Sequence, residues 1–125
     1  ALTDSGKRIL FDLDFNASVQ PQMQLLPNVK EGWPSLSKAD IDSALALFID
    51  RFGSGDVKLF GGEPLLEPDL VHYAINKAES NKNIRYLYLS TNGLGLNQDW
   101  LARLSRYKKV ILTLSMDGLP SDHRA

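Results

Sequence analysis

Residues 57–66 read VKLFGGEPLL, and the reading of this stretch decides the fold. Val57-Lys58-Leu59-Phe60 is a short, largely apolar strand that runs straight into Gly61-Gly62-Glu63-Pro64. Two adjacent glycines have no side chains to keep a ligand away from the backbone, and they tolerate φ > 0. The carboxylate of Glu63 follows at once, and Pro64 stiffens the exit. The strand therefore ends in exposed N–H and C=O groups with one anion beside them. That combination suits a ligand carrying an ammonium group, which needs oxygen acceptors. Glycine pairs also mark plain turns, so these residues alone equally fit a strand–turn–helix connection with a solvated glutamate.

The flanks are helical. Upstream, Ser37 is placed to cap a helix running to about Phe52, with Asp40 completing a capping box. Ile41, Ala44, Leu45, Phe48, Ile49 and Phe52 recur at helical spacing and form one apolar face, which reads as core packed on a sheet. Gly53 and Gly55 then stop the helix. Downstream, a helix over about Pro68 to Ser80 starts with proline in its first turn and turns Leu70, Val71, Ala74, Ile75 and Ala78 inward. His72 lies beside that face and reads as structural.

Further out, Ile84 to Leu89 alternates as a strand, with Tyr86 and Tyr88 on the face opposite Leu87 and Leu89. Asn97 caps a helix containing Trp100, Leu101, Leu104 and Tyr107, and Val110 to Leu114 is the last strand. Towards the amino end, Arg8 to Leu13 alternates loosely and reads as a first strand. Asp14 to Trp33 is rich in Asn, Gln and Pro and reads as a long loop, because Pro21, Pro27 and Pro34 oppose a continuous helix. Asn16-Ala17-Ser18 has the form of a glycosylation acceptor and is taken as chance.

Strand, helix, strand, helix, strand at this spacing implies β/α units and a parallel sheet. In such sheets ligands bind beyond the carboxyl ends of the strands. Ser90-Thr91-Asn92-Gly93 follows the second of these strands and Ser115-Met116-Asp117-Gly118 the third. All three strand ends thus carry small or hydroxylated residues and a polar or acidic side chain on one rim.

The series GGEP, then STNG, then S-x-DG resembles the radical S-adenosylmethionine (SAM) superfamily, and most of all the branch that modifies peptides and proteins. The likeness runs from about Ile9 to His123. It implies a single α/β domain over residues 1–125: a parallel sheet with helices, forming a partial (β/α) barrel of which the chain supplies about the first four β/α units. It further implies that Gly61, Gly62 and Glu63 hold the amino group of SAM, and that Ser90 and Asn92 lie near it. Ser115 and Asp117 would contact its ribose or carboxylate. His123 falls where the family often has a histidine, although a solvated loop histidine is the plainer reading. Arg124 occupies a slot that is more often acidic.

One departure is large. In the family, the loop after the first strand carries cysteines in a C-x-x-x-C-x-x-C pattern that hold a 4Fe–4S cluster. This sequence contains no cysteine. Aligning Asp12 to Asn16 with the family's strand end puts Ala17, Pro21 and Gln24 at the cysteine positions. Alanine and proline offer no ligand atom, and a glutamine amide is a poor partner for a soft iron–sulfur site. No 4Fe–4S cluster is therefore expected, and any SAM affinity should be weak.

Composition bounds the remaining classes. With 125 residues, 43% hydrophobic and 23% charged, the chain is long enough for one globular domain. A formal net charge of −1 makes no electrostatic case for nucleic acid or an anionic membrane as partner. No apolar run approaches a membrane span, no signal peptide is visible, and a cytoplasmic location is expected. Three functional readings stay open: a cluster-free radical-SAM-like domain acting as a pseudoenzyme or as a peptide-binding or scaffolding subunit, a fragment of an active peptide-maturing enzyme, and a generic α/β ligand-binding domain. As part of an incomplete barrel, the Val110–Leu114 strand is expected to be a sheet edge, covered by the same strand of a second copy, by a segment of a partner chain or by further sequence of a longer protein.

Overall fold

In the computed structural model the described residues are 9–14, 20–27, 36–59 and 63–114. Their elements in chain order are strand β1 (Ile9–Asp14), strand β2 (Gln20–Leu25), helix α1 (Lys38–Phe52), strand β3 (Gly55–Leu59), a 3-10 turn (Pro64–Leu66), helix α2 (Pro68–Ser80), strand β4 (Ile84–Thr91), helix α3 (Gln98–Leu104) and strand β5 (Val110–Leu114). They form one sheet in the order β1-β2-β3-β4-β5. Strands β2, β3, β4 and β5 are parallel, and β1 runs antiparallel to β2. The fold is thus α/β, with four parallel strands joined through three helices.

The stretch expected as a loop between Asp14 and Trp33 contains a strand. β2, sequence QPQMQL, is central to the sheet rather than peripheral: Phe11 pairs with Met23 on one side, and Met23 pairs with Val57 on the other. The parallel series therefore opens at β2, and the strand read over Arg8 to Leu13 is an antiparallel flank. The sequence signal is weak because only one face of β2 is apolar. Met23 and Leu25 are buried, while Gln22 and Gln24 lie on the other face, half-buried. Pro21 is tolerated because the β2–β3 ladder begins one residue later, at the Gln22–Asp56 pair.

The helices follow their sequence signals closely. The Ser37 hydroxyl accepts from the Asp40 amide at 3.2 Å and the Ser37 amide donates to the Asp40 carboxylate at 2.7 Å, closing the capping box. Ile41, Ala44, Leu45 and Phe48 of α1 are buried, with Ile49 and Phe52 packed at the margin of the core. Gly53 ends the helix at φ 82°, its amide bonded to the Ile49 carbonyl. Gly55 is no helix stop but the first residue of β3. A Cβ there would lie 2.5 Å from the Pro21 carbonyl oxygen and 2.6 Å from the Phe48 ring, so glycine is required by how closely β2 and α1 approach β3. Val71, Ala74, Ile75 and Ala78 of α2 and Trp100 and Leu104 of α3 complete the core. Leu101 stays about half exposed, and Tyr107 lies beyond the end of the seven-residue α3. The His72 ring stacks on Trp100 at 4.3 Å, joining α2 to α3. Burial, aided by the Arg103 charge, lowers its pKa and so favours the neutral ring.

The sheet has two unlike faces. Met23, Leu25, Val57, Leu59, Leu87 and Leu89 point into the single core that the three helices cover. The other face carries Gln22, Gln24, Lys58, Tyr86, Tyr88 and Ser90, half-buried or exposed. Register places Gln24, Lys58, Tyr88 and Ile111 in one row across it. Between the pairs Gly55–Ile84 and Val57–Leu87, β4 carries one residue more than β3. This bulge turns Arg85 onto Asp56. The guanidinium meets both carboxylate oxygens, at 3.1 and 3.0 Å, and Asp56 is only 4% exposed.

Candidate functional site

Glu63, four residues beyond the end of β3, meets the carboxyl end of β4. The backbone of Glu63 is extended (φ −131°, ψ 103°), and Pro64 behind it starts the 3-10 turn with a φ already suited to helical geometry. The Glu63 carboxylate caps that turn, Oε2 accepting from the Leu65 amide at 3.1 Å. The same carboxylate reaches across to β4. Oε2 accepts from the Thr91 hydroxyl, and Oε1 accepts from the Asn92 amide at 2.8 Å. One half-buried carboxylate is thus held by three donors from two segments, which is how a charge is retained at a partly desolvated position.

The STNG stretch folds to provide those donors. Alternation along β4 buries Leu87, Leu89 and Thr91 on the core face and puts Tyr88 and Ser90 on the opposite, polar face. The strand runs two residues beyond the expected end at Leu89, so Ser90 and Thr91 belong to it. Asn92 then begins a turn, its side-chain oxygen accepting from the Leu94 amide at 2.9 Å. Gly93 follows at φ 85°, a left-handed conformation that glycine adopts without strain, and its amide donates to the Thr91 hydroxyl at 3.2 Å.

Of the seven residues singled out in the sequence, Glu63 and Asn92 are brought into direct contact. Ser90 is one residue away along β4 but faces the polar side of the sheet, in register with Thr113. Gly61, Gly62, Ser115 and Asp117 lie outside the described residues, as do Ala17, His123 and Arg124. Thr91 was missed, although strand alternation signals it: if Leu87 and Leu89 face inward, so does residue 91. Pro21 and Gln24, aligned with cluster cysteines in a loop, lie instead within β2. Their strand setting corrects that alignment, and the Gln24 amide donates to the Gln22 side chain at 3.1 Å.

A thiolate-ligated 4Fe–4S cluster does not fit the residues present, because there is no cysteine to supply a ligand. Among the described residues no group of three His, Asp or Glu side chains is placed to hold a metal ion, and no helix is long and apolar enough to cross a membrane. A shallow hollow of about 270 Å³ lies between Asp99, Ala102, Arg103, Arg106 and Tyr107, on the path from α3 to the start of β5. Glu63, Thr91 and Asn92 are not among its lining residues.

A largely parallel α/β sheet, with Glu63 after β3 bonded to Thr91 and Asn92 at the end of β4, defines the class. The chain belongs to the radical SAM superfamily, whose family model matches residues 17–125. Over 95 residues it is 32% identical to a mouse (Mus musculus) protein named molybdenum cofactor biosynthesis protein 1, an overlap that covers 72% of this chain. The matched region is 15% of that relative's length. No solved structure matches the chain.

Proposed function

We propose that this chain is a cluster-free radical SAM domain that works as a pseudoenzyme, a peptide-binding or scaffolding subunit in the cytoplasm rather than a catalyst of radical chemistry. The observation that carries this reading is a sequence without cysteine combined with a strand-end rim kept in order by Glu63, Thr91 and Asn92. On this reading the amino group of SAM is met by the Gly61–Gly62 backbone and Glu63, with Ser90, Asn92, Ser115 and Asp117 around its remaining polar groups. Without a cluster iron to anchor the amino and carboxylate groups, these contacts act alone against the cost of ordering the ligand. The affinity should then be weak, on the order of millimolar.

Family membership supports a second reading, in which the chain is part of a longer active enzyme. The peptide-modifying likeness of its motifs suggests a peptide substrate, whereas the name of the mouse relative points to molybdenum cofactor biosynthesis. Anaerobic reconstitution with iron and sulfide, followed by iron analysis and by calorimetry with SAM, separates the two. The first reading expects no stoichiometric iron, and weak SAM binding that Glu63→Ala removes. A full cluster complement per chain would overturn it, and tight binding indifferent to Glu63→Ala would overturn the site.

Assembly is a further part of the proposal. Among the described residues β5 pairs only with β4, and Ile111 and Leu114 on it are exposed, Leu114 by 53%. An open edge of this kind invites pairing. A second copy related by a two-fold axis would pair β5 with β5 antiparallel, centred on Leu112. Val110, Leu112 and Leu114 of both copies would then share one face, which suits these aliphatic residues. Sedimentation should show a concentration-dependent dimer that Leu114→Lys weakens at least tenfold, about 1.4 kcal/mol. A wild-type chain that stays monomeric throughout the accessible range would rule this assembly out.

A further inference from the structure

We propose that Thr91 is a positioning residue for Glu63, locking the Glu63–Leu66 segment onto the end of β4. The ligand consequence rests on the SAM reading above; the positioning role does not.

The geometry assigns the hydroxyl a direction. Thr91 Oγ1 accepts from the Gly93 amide at 3.2 Å, so its own proton is free to point at Glu63 Oε2, which it does. Thr91 is 2% exposed, so water cannot replace that donor. Its β-branch restricts χ1 and keeps the hydroxyl aimed. Two further donors, the Leu65 and Asn92 amides, meet the same carboxylate. They come from the segments after β3 and after β4, so the carboxylate joins the two. Of these three bonds, the one to Thr91 is made by a side chain and the other two by backbone, so a substitution can remove it without altering the chain path.

It follows that the Glu63 carboxylate serves first to tie the Pro64–Leu66 turn to the end of β4. A carboxylate already held by three donors of its own chain has limited acceptor capacity left for a ligand. If the Thr91 bond is lost, Oε2 faces a buried methyl group, the carboxylate is free to rotate towards solvent, and the Asn92 and Leu65 amides lose a charged acceptor. The Pro64–Leu66 turn after Glu63 then loses its tether to β4.

Amide hydrogen exchange by nuclear magnetic resonance on ¹⁵N-labelled wild type, Thr91→Val and Thr91→Ser tests this. Thr91→Val should speed exchange at the Asn92 and Leu65 amides by about tenfold or more, the equivalent of one charge-assisted hydrogen bond. Val57 and Leu87, in the middle of the same sheet, should change far less. Thr91→Ser, which restores the hydroxyl, should return Asn92 and Leu65 towards wild type. A folded Thr91→Val whose Asn92 exchange is unchanged overturns the proposal, as does a loss spread evenly over the sheet that serine does not rescue. If Thr91→Val does not fold, Glu63→Gln removes the charge from the other end, and unchanged exchange at Asn92 in that variant overturns it equally. Calorimetry with SAM on the same proteins separates the two ideas. Weakened binding in Thr91→Val that Thr91→Ser recovers supports both, and the exchange pattern without any SAM affinity in wild type supports the positioning role while overturning the SAM reading.

Discussion

Phe48→Ala should lower the unfolding free energy by about 3–5 kcal/mol, as truncation of a fully buried phenylalanine does. Phe48 is 0% exposed and sits where α1 crosses β2 and β3. Its ring packs on Phe52 at a centroid distance of 5.3 Å and fills the space that a side chain at Gly55 would occupy. Alanine leaves a cavity bounded by the β3 backbone and by the Pro21 carbonyl. Neither can collapse into it without breaking the β2–β3 ladder, so little of the loss is recovered by relaxation. A urea titration read by circular dichroism measures the effect. Phe48→Leu should cost clearly less, and an alanine variant within about 1 kcal/mol of wild type would mean that the ring is not in the core.

Arg85→Ala should cost about 3 kcal/mol, by stranding the Asp56 carboxylate. Removing one partner of a buried ion pair leaves an uncompensated charge, which is worth about 3–5 kcal/mol. The lower end applies because the Arg85 side chain is 46% exposed, so water is close at hand. Asp56 itself is 4% exposed and lies on the polar face of the sheet, at the start of β3. Arg85→Lys should recover only part of the loss, since a lysine cannot reproduce the two-pronged contact made by Nε and Nη2. The double variant Asp56→Ala/Arg85→Ala should cost less than the sum of the two single variants. Additive losses in denaturant melts would show that the two side chains are not coupled.

Both predictions concern residues whose partners lie far away in sequence, and this marks how far the sequence could be read. The helix starts were legible almost to the residue, as was the extent of α1 and α2, whereas α3 stops at Leu104, short of Tyr107. Their signals are local: a capping box at Ser37 and Asp40, an asparagine cap at Asn97, a proline at the first turn of α2, and apolar residues at helical spacing. β3, β4 and β5 were legible because their apolar alternation is bounded by glycines or polar turns. β2 was not. A half-polar strand such as QPQMQL shows its core face through Met23 and Leu25 alone, and glutamines and a proline mask it; only pairing on both sides makes it a strand. The β4 bulge, and with it the Arg85–Asp56 contact, was likewise invisible, because register belongs to two strands at once.

The same division runs through the site. The sequence by itself determined that GGEP, STNG and S-x-DG follow apolar, strand-like stretches in that order, that strands alternate with helices between them, and that no cysteine is present to hold a cluster. Each of these follows from residue types and spacing, which need no knowledge of distant contacts. Only the tertiary structure decided what the Glu63 carboxylate does. From sequence it reads as an anion offered to a ligand, whereas in the fold it accepts from Leu65, Thr91 and Asn92. It also decided that Thr91, not Ser90, supports that carboxylate, by extending β4 and turning one hydroxyl to each face. The physical reason is the same in both cases: a side chain two dozen or more residues away becomes a neighbour only when parallel strands stack their ends in register, and a partly buried charge then takes its donors from whatever that register brings within reach.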